Sequence, residues 1–260
     1  MTKEEILANA ELFLLDLDGT VYRDETLIGD MKNTLKKLKE EGKKVVGLTN
    51  NSSKSACEYH EKLERLGISA MIDGVMTSGI AALDYVKSLG AGTRVHLLAT
   101  DGVKREFQEA GVLLVDENPD VCVLALDTEI TFEKIRLFNK LLVGGAKFIA
   151  THPDNKCPTE DVSMPDVGSF IKLFEHSSER KVDLICGKPF PLMSEQIIRE
   201  YGVPAEKICM VGDRISTDIL FGKNCGMMTL LVLSGDTTEE ILSCSDVVPD
   251  LVLPTLNELF

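Results

Sequence analysis

The 260-residue sequence has no tryptophan and only 5% aromatic residues. It also has no apolar run near the roughly 20 residues that a membrane-crossing helix requires. Its start, Met1-Thr-Lys-Glu-Glu, shows no basic stretch followed by a long apolar one, so no signal peptide and a cytoplasmic location are expected. Positive charge is scarce: 28 Lys and Arg stand against 42 Asp and Glu, a formal net charge of −14. A field of that sign repels phosphate backbones and anionic headgroups, which disfavours nucleic-acid and membrane-surface partners. A small anionic substrate would need a bound cation or aimed donors.

Paired cysteines are missing as well. The seven cysteines (Cys57, Cys122, Cys157, Cys186, Cys209, Cys225 and Cys244) are odd in number and include no Cys-x-x-Cys, which argues against zinc knuckles and redox dithiols. Cys122, Cys186 and Cys209 lie in apolar runs and read as small buried hydrophobes in a reducing compartment. There is no Gly-x-x-x-x-Gly-Lys-Ser/Thr loop, no Gly-x-Gly-x-x-Gly after a strand, no internal repeat and no long low-complexity linker.

What is present is an alternation of short apolar runs with amphipathic stretches. Strands are expected at Leu12–Asp16, Lys44–Leu48, Thr93–Ala99, Val121–Leu126, Lys147–Ala150, Leu184–Cys186, Ile208–Gly212 and Met228–Leu233. Their Val, Ile and Leu content without strict alternation suits strands covered on both faces, as in parallel sheets. Between them, Met31, Leu35 and Leu38 mark one face of a helix over Asp30–Glu41 that stops at Gly42. Glycine stops recur at Gly67, Gly90, Gly111 and Gly202, and Thr237 with Glu240 spells a capping box. The class is therefore α/β with right-handed crossovers. Thr151–Gly168, with prolines at 153, 158 and 165 and four acidic residues, reads as a long functional loop.

Ligands of open parallel sheets bind beyond the carboxyl ends of the strands. The residues that follow the expected strands are Asp16-Leu-Asp18-Gly-Thr, Thr49-Asn50-Asn51-Ser52, Gly187-Lys188-Pro189 and Gly212-Asp213-Arg214, with Asp218 close behind. These strand ends would bring carboxylates, a lysine and a hydroxyl–amide cluster to one rim, and carboxylates this close repel one another unless a cation is present. Hard oxygen donors of this kind suit Mg²⁺ alongside water and substrate phosphate. The set reads as a phosphoryl-transfer site.

Taken in order, these four motifs resemble those of the haloacid dehalogenase-like (HAD) phosphohydrolases. Thr-Asn-Asn-Ser, Gly-Lys-Pro, Gly-Asp-Arg-x-x-Thr-Asp and Ala-Thr-His-Pro-Asp further resemble the NagD-like capped phosphatases, over essentially the whole chain. The resemblance implies a Rossmann-like parallel-sheet core at residues 1–79 and 184–260, with an inserted α/β cap domain at 80–183. It also implies that Asp16 is the nucleophile forming an aspartyl-phosphate, with Asp18 as general acid and then base. Thr49, Asn50 and Lys188 would bind phosphate. Mg²⁺ would be held by the Asp16 carboxylate, the Asp18 carbonyl and Asp213, with Asp218 orienting a metal-bound water or Lys188. His152 and Asp154 would contact substrate from the cap loop. Pro165-Asp166-Val167-Gly168-Ser169 departs from the family's Pro-Gly-x-Gly-Ser by one aspartate.

The expected reaction is Mg²⁺-dependent hydrolysis of a small-metabolite phosphomonoester. Candidate substrates are sugar phosphates, phosphoglycolate, nucleoside monophosphates, pyridoxal phosphate and p-nitrophenyl phosphate. By analogy the cap could supply a homodimer face. Two alternatives are a phosphomutase, which usually carries a small helical cap, and a non-enzymatic phosphoacceptor or binding protein. An acid/base at Asp18 favours turnover over a long-lived phosphoaspartate.

Overall fold

Buried aliphatic runs form two parallel sheets, and the computed structural model describes residues 1–157 and 162–260. In chain order the sheet strands are β1 (Leu12–Leu15), β2 (Lys44–Thr49), β3 (Gly74–Thr77), β4 (Arg94–Leu98), β5 (Leu113–Leu114), β6 (Val121–Leu124), β7 (Lys147–Ala150), β8 (Leu184–Ile185), β9 (Ile208–Gly212), β10 (Met228–Val232) and β11 (Leu251–Leu253). The chain divides into two compact units. One comprises Met1–Thr49, Cys57–Met76 and Lys188–Phe260, the other Asn50–Ala56 and Thr77–Gly187.

The first unit is built on a six-stranded sheet in the order β11-β10-β9-β1-β2-β3. β1 runs parallel to both β9 and β2, with Leu15 opposite Val211 on one side and Gly47 on the other. All four residues of β1 and all five of β9 are buried, as expected for strands covered on both faces. From β1 the chain steps outward to β2 and β3 on one side and later re-enters beside β1 as β9, stepping outward to β10 and β11 on the other, so the topological switch point lies at the carboxyl ends of β1 and β9. Helices supply the cover: Met31, Leu35 and Leu38 of the helix Met31–Glu40 are buried in the core with Phe13, Val45 and Cys209.

The second unit holds a five-stranded parallel sheet ordered β8-β7-β6-β4-β5. Its core closes on an aromatic cluster in which the Phe138 and Phe174 rings lie 4.6 Å apart. The strand at Leu184–Ile185 belongs here and pairs with β7, anchored by Asp183, whose carboxylate accepts from Phe148 N at 2.7 Å. Lys188 therefore does not follow a strand of the six-stranded sheet, as its apolar run had suggested; it is the first residue of the returning chain.

Further local differences have plain causes. The last short helix, Glu239–Ser243, is capped by Thr238, which accepts from Ile241 N, while Thr237 is buried and donates its N–H to Asp213 O. A capping box does form at the other end of the chain, between Thr2 and Glu5. Within the expected long loop, Lys156–Cys157 pairs with Met164–Pro165 in a short antiparallel hairpin, and residues 158–161 lie outside the described residues. Cys122 and Cys186 are buried, and burial pushes both thiols up to about 12, as inert hydrophobes. No helix among the described residues is long and apolar enough to cross a membrane.

Candidate active site

Asp16 is the first residue beyond β1, and its N–H donates to Val211 O at 2.8 Å, so it continues the ladder by one position. Thr49 ends β2 and is buried. Asp213 follows β9, and Asp218 sits in the π-helical turn Ile215–Ile219 just after it. One carboxylate oxygen from each of Asp16, Asp213 and Asp218 can be chosen so that all three lie within 4.8 Å of one another.

Lys188 binds this group together. Its Nζ donates to Asp16 Oδ1 at 2.7 Å, to Asp218 Oδ1 at 2.7 Å and to Leu48 O at 2.9 Å. Burial alone would push this ammonium's pKa down, but Asp16 and Asp218 more than offset it and hold the group above the usual lysine range. Asp218 is saturated from both sides, since Oδ1 takes Lys188 and Oδ2 accepts from Arg214 N at 3.0 Å. Asp218 thus lies in direct contact with Lys188.

Asp213 is treated differently. Its Oδ2 accepts from Asp236 N at 2.6 Å, whereas its Oδ1 is buried and, among the described residues, has no hydrogen-bond partner. Burial and then the Asp218 charge push its pKa up to about 7. Burial also raises Asp16 well above the usual carboxylate range, with Asp218 and Asp213 adding to the effect and Lys188 opposing it. Three clustered carboxylates against one ammonium leave surplus negative charge and an open, aimed oxygen. That donor chemistry fits a hard divalent cation at Asp16 and Asp213.

Backbone geometry keeps this space clear. Gly19 has φ +90°, and a Cβ there would lie 2.6 Å from Asp213 Oδ2. A side chain would meet both left-handed strain and a carboxylate it cannot displace without disturbing the cluster. Ser234 closes the same loop by donating Oγ–H to Gly19 O at 2.7 Å. Gly235 has no room for a Cβ either, because Asp213 occupies the place.

Asp18, two residues past Asp16, is 52% exposed at its side chain, and its Oδ1 lies 3.9 Å from Lys62 Nζ. The remaining expected residues lie in the second unit. Asn50 donates from Nδ2 to Asp154 Oδ2 at 3.1 Å. The segment that carries Asn50 is pinned within that unit: Ser78 Oγ donates to Asn50 O, Thr100 Oγ1 to Ser53 O, and Leu126 N to Ser52 Oγ. Sequence reading gave Ser52 and Ser78 no such role; only the folded chain shows which carbonyls and amides they reach.

His152, expected to contact substrate from the cap loop, is fully buried between two carboxylates, with Nδ1 3.6 Å from Asp154 Oδ2 and Nε2 3.4 Å from Asp166 Oδ1. The departure at Asp166 finds its reason here. Asp166 faces His152 and caps the helix Val167–Ser178, its Oδ1 accepting from Val167 N at 2.7 Å. Gly168 is required beside it, since a Cβ there would collide with the Pro153 carbonyl.

A doubly wound parallel sheet carrying an Asp–Lys–Asp cluster at its switch point is an arrangement suited to phosphoryl transfer. Residues 13–113 match the haloacid dehalogenase-like hydrolase family, and residues 185–259 match the related HAD-hydrolase-like family. The chain is 33% identical over 247 residues to an acid sugar phosphatase of Staphylococcus aureus, covering 95% of each. It is 42% identical to the crystal structure of a 4-nitrophenylphosphatase from Thermotoga maritima, with TM-score 0.94 over 98% of this chain and 97% of the other. A glycerol phosphate phosphatase from Mycobacterium tuberculosis, solved in complex with magnesium, is 26% identical with TM-score 0.88 over 98% of this chain and 77% of the other. The chain belongs to the haloacid dehalogenase-like hydrolases, as a NagD-like phosphatase.

Proposed function

We propose that this phosphatase hydrolyses small phosphomonoesters in a Mg²⁺-dependent reaction through a covalent intermediate on Asp16. The observation that carries this reading is the arrangement of Asp16, held at 2.7 Å by the buried Lys188, beside an Asp213 oxygen with no hydrogen-bond partner among the described residues. Asp16 Oδ attacks phosphorus and the bond to the ester oxygen breaks. Asp18 delivers a proton to that leaving oxygen. Asp18 then takes a proton from water, which attacks the phosphoryl group, frees inorganic phosphate and regenerates the Asp16 carboxylate.

Lys188 neutralises charge that would otherwise repel an incoming phosphate dianion from Asp16, and the Thr49 hydroxyl and Asn50 amide bind phosphoryl oxygens. Asp16, the Asp18 carbonyl and Asp213 would hold Mg²⁺, which supplies charge neutralisation for the phosphoryl oxygens when bound. The Thr77–Gly187 unit is read as the cap domain, setting which leaving group is accepted. The relatives' named substrates (a sugar phosphate, 4-nitrophenyl phosphate and glycerol phosphate) point to small esters. Sign of charge agrees, since a net −14 chain is unsuited to a polyanionic nucleic acid.

The test is steady-state hydrolysis of 4-nitrophenyl phosphate by wild type and Asp16→Asn, with Mg²⁺ and with EDTA. Turnover in Mg²⁺ that falls at least about 10⁴-fold in Asp16→Asn and is abolished by EDTA is expected. Metal-independent turnover, or an active Asp16→Asn, would contradict the reading.

A further inference from the structure

Asp18 is half-exposed, yet both proton transfers assigned to it require one orientation. A surface carboxylate keeps one orientation only where its neighbours hold it, and Asp18 has a buried cation beside it. The candidate is Lys62, on the helix Ala56–Arg65, which no motif singles out. Its side chain is only 7% exposed, its Nζ lies 3.8 Å from the centroid of the Tyr22 ring, and Asp18 Oδ1 lies 3.9 Å away. Taking an ammonium out of water is costly and is sustained only by partners; a π face and a carboxylate are such partners.

The chain also locks those partners to each other. Asp18 and Tyr22 form an isolated β-bridge, Gly19 N donates to Tyr22 O at 2.8 Å, and Tyr22 N donates to Leu17 O at 3.1 Å. Tyr22 is itself fully buried. The ring under Lys62 and the carboxylate beside it are thus parts of one tight turn that starts at the nucleophile.

We propose that Lys62 is a positioning residue, seated on Tyr22, that fixes the direction in which the Asp18 carboxyl group faces. It acts through Asp18 and, being buried, does not itself reach substrate. The proposal rests on the reading of Asp18 as the acid that protonates the leaving oxygen, and it makes a claim about leaving groups. A misdirected Asp18 matters little to kcat/KM, which reports only the steps through departure of the leaving group, when 4-nitrophenolate leaves as a stabilised anion. It matters much when the leaving oxygen is a more basic phenolate that needs the proton.

The experiment measures kcat/KM for 4-nitrophenyl phosphate and phenyl phosphate in Mg²⁺ with wild type, Lys62→Met and Lys62→Gln. These esters differ only in the para-nitro group, and the variant-to-wild-type ratio is read on each ester separately, so their difference in binding to wild type cancels while leaving-group basicity changes. The expected result is a fall of about 10–100-fold for phenyl phosphate, part of the roughly 10²–10⁴-fold a positioned acid supplies, and less than about threefold for the nitrophenyl ester. If Lys62→Met does not fold, Lys62→Gln, closer in shape and still polar, carries the comparison. Equal losses on both esters would show general damage to the site and overturn the proposal, as would no loss on either. Wild type inert on both esters would instead overturn the phosphatase mechanism on which the proposal stands.

Discussion

Lys188→Met is expected to lower kcat/KM by about 10³-fold or more, and to destabilise the fold at the same time. The two effects share one cause. Lys188 is the ammonium that both Asp16 and Asp218 contact at 2.7 Å, and it is almost fully buried. Removing it leaves a fully buried Asp218 carboxylate facing a nearly buried Asp16 with no intervening cation. Breaking a buried ion pair by deleting one partner typically costs about 3–5 kcal/mol. A double variant, Lys188→Met with Asp218→Asn, separates the effects. Removing the orphaned charge restores part of the melting temperature, whereas activity stays low because phosphate again meets Asp16 uncompensated. Activity within tenfold of wild type in Lys188→Met would contradict the role given to this lysine.

Asp213→Asn is expected to abolish the response to metal and to stabilise the metal-free protein. In the absence of metal the Asp213 pKa is pushed up to about 7, against 3.8 for an ordinary aspartate, by burial and the Asp218 charge. A group whose folded-state pKa is raised contributes its stability below the unfolded value and loses it as pH climbs through the folded value. In EDTA, Asp213 therefore costs the fold progressively more as pH rises from about 4 to about 7. Mg²⁺ reverses that cost, so wild type gains melting temperature on adding Mg²⁺ at pH 8 and little at pH 5. Asp213→Asn should show a flatter pH profile, a higher melting temperature than wild type in EDTA at pH 8, and no gain from Mg²⁺. Thermal melts at the two pH values decide it; an undiminished Mg²⁺ gain in the variant would remove Asp213 from the metal site.

Much of this was legible in the chain because the site is built from strand ends. β1, β2 and β9 stand out as buried aliphatic runs, and the polar residues at the carboxyl ends of such strands are the ones expected to face ligand. Other elements left no usable pattern. Leu113–Leu114 and Leu251–Leu253 are too short to show a period, and Gly74–Thr77 begins with glycine and is only partly buried. Leu184–Ile185 was read as leading to the catalytic rim because a run of three apolar residues says nothing about which sheet it joins; its partner, β7, does.

Side-chain neighbourhoods were least legible. His152 was expected to contact substrate from its loop, and only the fold shows Asp154 and Asp166 on either side of it. Lys62 lay hidden among the charges of Glu-Lys-Leu-Glu-Arg, where a lysine normally marks the solvent face. Its burial is decided by Tyr22, forty positions earlier in sequence but stacked beneath it in the fold.

The central claim is that the phosphoryl group passes through Asp16. It is tested most directly by mixing Asp18→Asn with 4-nitrophenyl phosphate and Mg²⁺, quenching in acid within one turnover, and weighing the resulting peptides. Without Asp18 to activate water, the account predicts the mass of one phosphoryl group on the peptide carrying Asp16, absent when Asp16→Asn is added. Release of nitrophenol with no phosphoryl group on the protein, or with the group on another residue, would contradict it.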